Sequence, residues 1–249
     1  MYSIKQLAKL TRKSYRDQEG VFLAEGKKII EEAKNAKADI IQIMATRQFQ
    51  KLNTEYLRQF GTHQPVVEIS DSNLARLSGT KTPPGIIAVI KKPTVKLEDI
   101  LQHQQLAIFE DIKDPGNLGT MLRTADWFGV TGIIVSSAGV DPYNDKVLRA
   151  TMGSHFHQHI FTSKSLSQDL NTIKRSGYHL IVSTLRQKSA QGNQQPSDKW
   201  ALIMGNESNG VSQAVERLAD SFYTIPGKGQ AESLNVAVSF GIILNNLTT

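Results

Sequence analysis

Short apolar runs that favour β-strands alternate with segments of helical periodicity along the second part of this 249-residue chain. The predicted strands occupy residues 106–109, 132–135, 179–183, 200–204 and 222–225. The predicted helices occupy residues 118–128, 145–150, 166–175, 211–219 and 234–247. Parallel strands need a crossover connection, which is usually a helix, so this alternation predicts an α/β fold with a mostly parallel sheet and helices on both faces.

The first 92 residues show a similar but shorter pattern, typical of a small α/β domain. The β-like runs lie at residues 21–24, 40–44, 66–69 and 86–90, with helical segments between them. A charged stretch that contains a proline follows the last run. We therefore expect a first domain at residues 1–92, a linker at residues 93–104 and a second domain at residues 105–249.

The excess of positive charge lies entirely in the first domain. Residues 1–92 contain sixteen Lys and Arg against nine Asp and Glu, whereas residues 93–249 contain thirteen against fourteen. Such asymmetry is typical of a polyanion-binding module joined to a nearly neutral domain. On charge alone, a lysine-rich surface without a ligand explains it equally well.

The composition excludes several classes of protein. The chain is 39% hydrophobic and 21% charged and contains no cysteine, which excludes thiolate metal sites and cysteine nucleophiles. No apolar run has membrane-spanning length, and the first residues lack the apolar segment of a signal peptide. We expect a cytoplasmic protein that does not bind membranes.

Three polar loops each follow a predicted strand of the second domain. Ligands of parallel sheets bind beyond the carboxyl ends of the strands, so we expect a site there. The first loop leads into a helix for which Asn117 is the predicted N-cap. Arg123 projects from this helix about 170° away from its apolar face. It is either a solvated arginine or a cation presented to a phosphate or to another subunit.

The second and third loops combine glycine with polar side chains. The second loop, at residues 203–211, contains Gly205, which permits close approach of the backbone, and Glu207, which can accept hydrogen bonds. In the third, at residues 225–240, a Gly-rich stretch precedes Ser233-Leu234-Asn235 and an apolar helix. The first N–H groups of that helix have no partner within it, which suits a ligand.

Motifs for several other sites are absent from the sequence. No G-x-G-x-x-G follows the first strand, and the chain contains no G-x-x-x-x-G-K-[ST] and no G-x-S-x-G. His155, His157 and His159 alternate, and on a strand they would share one face. A polar strand face explains them better than a metal site, because no carboxylate is suitably spaced beside them. We expect no metal.

Taken together, the three loops closely resemble the motifs of the SpoU (TrmH-type) RNA ribose 2′-O-methyltransferases of the SPOUT class. Order and spacing agree across residues 105–247. The matching residues, motif by motif, are Asn117, Gly119, Arg123 and Ala125; Gly205, Glu207 and Gly210; and Ile225, Pro226, Ser233, Leu234, Asn235 and Val236. Gly227 departs from the pattern, because many relatives have a larger apolar residue there. The first domain is similar, at residues 22–27 and 84–89, to the small RNA-binding domain that often precedes this one.

This resemblance implies a C-terminal trefoil knot with S-adenosylmethionine bound in the knotted loops. It also implies a homodimer with active sites at the subunit interface. The last predicted helix is apolar nearly all round, which agrees with coverage on more than one side. The implied substrate is RNA, with ribosomal RNA preferred and transfer RNA as the alternative.

The resemblance further implies transfer of the sulfonium methyl group to a ribose 2′-oxygen. Arg123 is expected to contact that oxygen or the adjacent phosphate, either as the base or as an electrostatic stabiliser. The expected catalytic residues are Arg123, Asn117, Glu207, Ser233 and Asn235. The expected cofactor-binding residues are Thr184, Gly205, Asn206, Ile225, Ser233, Leu234 and Asn235.

Two other classes of function stay open at this point. A non-catalytic RNA-binding protein on the same fold is disfavoured by the presence of Arg123, Glu207 and the Ser233-Leu234-Asn235 segment. A small-molecule α/β enzyme is disfavoured by the missing phosphate motifs and the uneven charge. Within the RNA methyltransferases, the sequence leaves open both a housekeeping role and a role in antibiotic resistance.

Overall fold

The computed structural model describes residues 2–61, 66–185 and 199–249. Its strands are β1 (Val21–Glu25), β2 (Ile40–Ala45), β3 (Val66–Glu68), β4 (Ile86–Lys91), β5 (Gln105–Phe109), β6 (Gly132–Ser136), β7 (His159–Ser163), β8 (His179–Ser183), β9 (Trp200–Met204) and β10 (Ser221–Tyr223). Its helices are α1 (Ile4–Lys9), α2 (Lys13–Glu19), α3 (Lys27–Asn35), α4 (Arg47–Leu52), α5 (Thr54–Arg58), α6 (Asp71–Leu77), α7 (Leu97–Ile100), α8 (Pro115–Trp127), α9 (Asp145–Thr151), α10 (Leu166–Arg175), α11 (Gln213–Glu216) and α12 (Val236–Thr248), with a 3₁₀ turn at Ser154–His157.

The described chain forms two compact units. The first contains Met1–Thr94 and Tyr143–Phe156, and the second contains Val95–Pro142 and His157–Thr249. Two boundaries therefore differ from the expected ones. Most of the expected linker at residues 93–104 belongs to the second unit, because Ile100 of α7 is fully buried in its core. The other difference is the segment Tyr143–Phe156, which the sequence assigns to the second domain.

Tyr143–Phe156 packs into the first unit because its aromatic side chains meet a buried ring there. The ring of Phe22 on β1 lies 5.0 Å from that of Tyr143 and 6.3 Å from that of Phe156, between centroids. Leu148 of α9 is buried in the same core. Nothing in the local sequence of α9 indicates this partner, because periodicity reports which face is apolar and not what covers it.

The first unit is built on a four-stranded mixed sheet in the order β1-β4-β2-β3. Strand β4 is antiparallel to β1 and β2, whereas β2 and β3 are parallel. Residues Ile86–Ile90 are all buried, which places β4 at the centre of the core, as the uninterrupted apolar run predicts.

The second unit contains a six-stranded sheet in the order β10-β8-β9-β5-β6-β7, and all its neighbouring strands are parallel. This confirms the predicted α/β fold. Strand β7 was not predicted, because it is an edge strand in which polar residues break the apolar run. No helix in the part of the chain that the structure describes is long and apolar enough to cross a membrane. The trefoil knot stays a prediction.

Helices cover the two faces of this sheet. On one face, Leu170 of α10 and Val215 of α11 join the core that includes Ile108 of β5. On the other, the ring of Phe240 on α12 meets that of Phe109 edge to face, with 5.2 Å between centroids. Because adjacent residues of a strand point to opposite faces, Ile108 and Phe109 serve the two layers in turn.

Candidate functional site

A cavity of about 350 Å³ opens beyond the carboxyl ends of β8 and β9. Its walls come from those strand ends, from the loop that follows β9 and from the start of α12. The structure gathers most of the predicted site residues there, namely Thr184, Gly205, Asn206, Glu207, Ser233, Leu234 and Asn235. Ile225 does not line this cavity and is half-buried. Met204 and Ser239, which were not predicted, contribute to the lining.

The helix α8 begins earlier than the sequence suggests. Asp114, not Asn117, is the N-cap, and its Oδ1 accepts a hydrogen bond from the backbone N–H of Asn117 at 2.8 Å. Pro115 occupies the first helical position, where its missing N–H costs nothing. The prediction of Asn117 as the cap was wrong. The D-P-G-N order indicates the earlier start, because a capping residue followed by proline is a common helix start.

Since Asn117 does not cap its helix, its side chain is available to join the other loops. Its Nδ2 donates to Oε1 of Glu207 at 2.9 Å. Its Oδ1 accepts from Nδ2 of Asn235 at 3.0 Å. One amide therefore connects the first turn of α8, the loop after β9 and the start of α12. The three segments that the sequence singles out form one hydrogen-bonded cluster.

Asn235 also fixes the start of the last helix. It is the N-cap of α12, and its Oδ1 accepts from the N–H groups of Ala237 and Val238 at 2.9 and 3.4 Å. The predicted start of this helix at residue 234 is close to the observed one. Because the oxygen of the Asn235 amide caps the helix and its nitrogen binds Asn117, its orientation is set from both sides.

The glycine at residue 205 is required by the loop itself. A Cβ built on Gly205 would lie 2.2 Å from the carbonyl carbon of Gly210 and 2.3 Å from the nitrogen of Val211. The loop folds back because the backbone groups of Asn206 and Gly210 exchange two hydrogen bonds of 2.9 Å. The close approach that the sequence predicted at Gly205 therefore exists, and the partner that makes it is the loop's own backbone.

The side chain of Asn206 forms its hydrogen bonds with other groups of the protein. Its Oδ1 accepts from the N–H of Ser208 and of Asn209, and its Nδ2 donates to the carbonyl oxygen of Asp111 at 2.9 Å. Asp111 has a φ of 61°, a conformation that costs energy for a residue with a side chain. Its N–H donates to Oγ of Ser136 at 2.8 Å, so two side chains hold this turn. Asn206 lines the cavity mainly as a support for the first loop.

Arg123 lies outside the cavity. It is exposed on α8, as the helical projection predicted, and it does not line the cavity of its own chain. No residue in the described ranges forms a hydrogen bond or ion pair with its guanidinium group. Trp127, one turn further along α8, is 85% exposed, an unusual state for so large an apolar side chain. The two side chains share one outward face of the helix.

The three alternating histidines do not form a common face. His155 is buried against the rings of Phe22 and Tyr143 in the first unit. His157 pairs with Asp126 at 3.1 Å, and the Nδ1 of His159 lies 2.9 Å from the Nε2 of His103. Because residues 154–157 form a 3₁₀ turn, the strand-like alternation does not hold there. Among the described residues, no group of three or more His, Asp or Glu side chains could hold a metal ion.

Two family models together match nearly the whole chain. The model of the SpoU rRNA Methylase family matches residues 104–245. The model of the MRM3-like substrate binding domain matches residues 2–88. The first match includes every loop that contributes to the cavity, and the second corresponds to the basic part of the sequence.

Individual relatives agree with these matches. The 23S rRNA (guanosine(2553)-2′-O)-methyltransferase RlmP of Bacillus subtilis is 32% identical over 98% of this chain and 95% of its own length. The 23S rRNA (guanosine-2′-O-)-methyltransferase RlmB of Neisseria meningitidis is 32% identical over 65% of this chain and 67% of its own. The crystal structure of an AdoMet-bound rRNA methyltransferase from Sinorhizobium meliloti superposes with a TM-score of 0.85 and 28% identity, covering 98% of this chain and 93% of that one.

Proposed function

Because the chain belongs to the SpoU rRNA methylase family, we propose that it is an RNA methyltransferase that uses S-adenosylmethionine to methylate a ribose 2′-hydroxyl. The observation that carries this proposal is the cluster in which Asn117 binds both Glu207 and Asn235 beside the cavity. The three family motifs meet there through their side chains, as one site requires. A binding protein that had lost the activity would have no need to keep this arrangement.

The cavity fits the proposed cofactor. Its volume of about 350 Å³ is within the usual range for small-molecule sites, roughly 300–1,000 Å³. Apolar side chains such as Met204 and Val236 line it beside polar loop residues. The backbones of Ser233 and Leu234 form no hydrogen bond with any described residue, which leaves their polar groups for a ligand. When bound, S-adenosylmethionine supplies an activated methyl group on its sulfonium.

We infer that Thr184, Gly205, Ile225 and Leu234 contribute backbone contacts to this ligand. Gly205 and the ends of β8 and β9 form its walls. Ile225 does not line the cavity, and its role is proposed from the family motif alone. Asn206 supports the site by holding the Asp111 carbonyl. The amides of Asn117 and Asn235 and the carboxylate of Glu207 then orient the groups around the ribose.

Arg123 is proposed to act on the ribose 2′-oxygen or the adjacent phosphate. A guanidinium is almost always protonated in proteins, so its principal contribution is to stabilise the negative charge that develops on the 2′-oxygen. The hydroxyl then loses its proton to solvent more easily as its oxygen forms the bond to the methyl group and the bond from that methyl group to sulfur breaks. Because Arg123 lies outside the cavity of its own chain, we infer that it serves the site of a second copy.

An exposed apolar surface supports a homodimer through the second unit. Trp127 is 85% exposed, and on α12 Val238 and Ile242 are 51% and 39% exposed. Helices α8 and α12 pack against each other, and a Cβ on Gly241 would lie 3.7 Å from the methyl group of Thr124. We propose that this pair of helices forms the interface. Burial of these side chains would provide a hydrophobic driving force for association.

For the substrate, we propose ribosomal RNA, with transfer RNA as the alternative. RlmP of Bacillus subtilis, a relative that matches nearly the whole chain, is named for 23S rRNA. Residues 1–92, with sixteen Lys and Arg against nine Asp and Glu, are proposed as the RNA-binding part. A cytoplasmic location stays a prediction.

The decisive experiment maps ribose 2′-O-methyl groups in ribosomal and transfer RNA from cells with and without the gene. We expect one or more ribosomal sites to lose the modification in the deletion strain and to regain it when the gene is restored. Loss confined to transfer RNA would replace the proposed substrate. No change in either RNA, together with no heat of binding when S-adenosylmethionine is added to the purified protein, would establish a non-catalytic role.

A further inference from the structure

The hairpin of α4 and α5 in the first unit carries a concave surface that the methyltransferase site does not use. The concavity has a volume of about 540 Å³. Arg47, Lys51 and Arg58 stand around it, and all three are exposed. Leu57 and Val66, both partly buried, provide apolar atoms in its lining. The lining of this concavity therefore combines three cations with apolar atoms.

The three cations face this concavity without a protein partner. Lys92 in the same unit pairs with Asp17 at 2.5 Å, so a neighbouring carboxylate balances its charge. Among the residues that the structure describes, none forms a hydrogen bond or ion pair with the charged groups of Arg47, Lys51 or Arg58. Their mutual repulsion is therefore uncompensated within this surface, and an anionic ligand would relieve it.

The polar uncharged neighbours in the same lining are already satisfied. The Nε2 of Gln50 donates to the carbonyl oxygen of Ala45 at 3.0 Å. The Oγ1 of Thr54 donates to the carbonyl oxygen of Gln50 at 3.1 Å. Because these side chains already form hydrogen bonds within the protein, the cations are the residues of this lining that remain to bind a ligand.

Helix stability does not explain the position of Arg47. It is the first residue of α4, directly after the N-cap Thr46, whose Oγ1 accepts from the N–H of Phe49. The N-terminal end of a helix carries partial positive charge, so a cation at this position is unfavourable for the helix. Replacing Arg47 by glutamine should therefore leave the fold intact or slightly stabilise it.

We propose that this concave surface binds an unpaired nucleotide of the RNA substrate, with the base against Leu57 and Val66 and the flanking phosphates on Arg47, Lys51 and Arg58. This inference rests on the proposed function and names the form in which the RNA is held. A paired base cannot lie against Leu57 and Val66, because its faces are stacked within the duplex. The volume is ample for one nucleotide.

The test compares two variants that lose the same charge. The first, Arg47→Gln/Lys51→Gln/Arg58→Gln, removes the three cations of the concavity. The matched control, Lys5→Gln/Lys9→Gln/Arg12→Gln, removes three exposed cations from the α1–α2 region. The probes are a fluorescein-labelled single-stranded RNA of roughly twelve nucleotides and the blunt duplex of the same sequence.

We expect wild-type protein and control to bind the single strand more tightly than the duplex. The concavity variant should lose at least tenfold in affinity for the single strand, and its slope of log K against log salt should fall by about two, since each phosphate contact contributes roughly 0.7 for single strands. Unchanged single-strand affinity in this variant, an equal loss in the control, or tighter binding of the duplex by the wild type would overturn the proposal.

Two further measurements separate this inference from the proposed function. Calorimetry with S-adenosylmethionine should give the same values for both variants and the wild type, because neither set of residues lines the cavity of the second unit. Thermal unfolding should show that both variants are folded. A Leu57→Ser variant keeps all the cations and should weaken single-strand binding with an unchanged salt slope. An unchanged affinity would show that the base does not bind against Leu57. Absence of methyl transfer by the wild type would contradict the proposed function, while the RNA-binding comparison would still decide this site.

Discussion

The side-chain amide of Asn117 donates to the carboxylate of Glu207 at 2.9 Å, which joins two loops that are ninety residues apart in the sequence. The same amide accepts from Asn235 at 3.0 Å, so its two ends are both occupied. A hydrogen bond to a carboxylate is stronger than one between neutral groups. Asn117 therefore controls the relative position of all three motif segments.

Substitution of Asn117 should slow methyl transfer in a graded way. Asn117→Ala removes both hydrogen bonds, and the loss of a bond to a charged group, about 1.5–3 kcal/mol, corresponds to roughly 10–100-fold in rate if it is realised in the transition state. Asn117→Asp should be slower still at neutral pH, because it places a second carboxylate against Glu207. Single-turnover transfer of a tritiated methyl group measures both. Asn171→Ala, which removes an exposed amide from α10, is the control and should retain wild-type rates.

Arg123→Ala should reduce methyl transfer by at least about 100-fold, the usual effect of removing a group that stabilises transition-state charge. Affinity for S-adenosylmethionine should change by a few fold at most, because Arg123 does not line the cavity. Calorimetry and single-turnover assays together separate the two effects. Near-normal turnover would remove Arg123 from the reaction. Arg175→Ala, an exposed arginine on α10, provides the control.

Gly205→Ala should damage both stability and cofactor binding. The new methyl group would overlap the backbone of Gly210 and Val211, which cannot move aside as a flexible side chain can. Overpacking of this kind typically costs about 1–3 kcal/mol. Gly229→Ala is the matched control, because a Cβ there meets nothing within 4 Å. Thermal unfolding and calorimetry measure the two effects, and equal behaviour of the two variants would show that the loop is not rigid at residue 205.

His103 should make the stability of the second unit depend on pH. Burial, and secondarily the neighbouring His159, lowers the pKa of His103 below its ordinary value of 6.5. The unfolded chain therefore binds a proton at a pH where the folded chain does not, so stability falls as pH drops below 6.5 and levels off below the folded pKa. His103→Gln should lose less stability over this window. Denaturant unfolding at several pH values gives the comparison, and parallel profiles for the two proteins would contradict it.

Val238→Asp should convert the proposed dimer to a monomer. Val238 is 51% exposed on α12, and a carboxylate there would have to be buried against apolar side chains of a second copy, at a high cost. Sedimentation analysis measures the oligomeric state. Leu52→Asp, at a residue that is 75% exposed on α4 in the first unit, should leave the state unchanged. A wild-type monomer, or a dimer that survives Val238→Asp, would rule out this interface.

Local sequence patterns predicted the structure correctly where the distribution of apolar residues alone determines it. Uninterrupted apolar runs predicted the buried strands β5, β6, β8 and β9, and the projection of α8 placed Arg123 on its exposed side. Local patterns predicted the wrong structure where two signals compete. Asn117 and Asp114 are both good capping residues. Asn117 was the predicted cap, but Asp114, which proline follows, caps the helix. At residues 154–157 an alternating polar pattern suggested a strand where the chain forms a 3₁₀ turn.

The sequence by itself determined the class of fold, the motif residues of the site and the uneven charge, because hydrophobic periodicity and residue chemistry are local properties. Only the tertiary structure decided three features. Asn117 is the residue that joins the motif segments, Gly205 packs against the backbone of its own loop, and the segment Tyr143–Phe156 completes the core of the first unit. The first and the last depend on contacts between residues far apart in the chain, and the second depends on how one loop folds back on itself. Such contacts are fixed when the sheets and helices pack, and no local pattern records them.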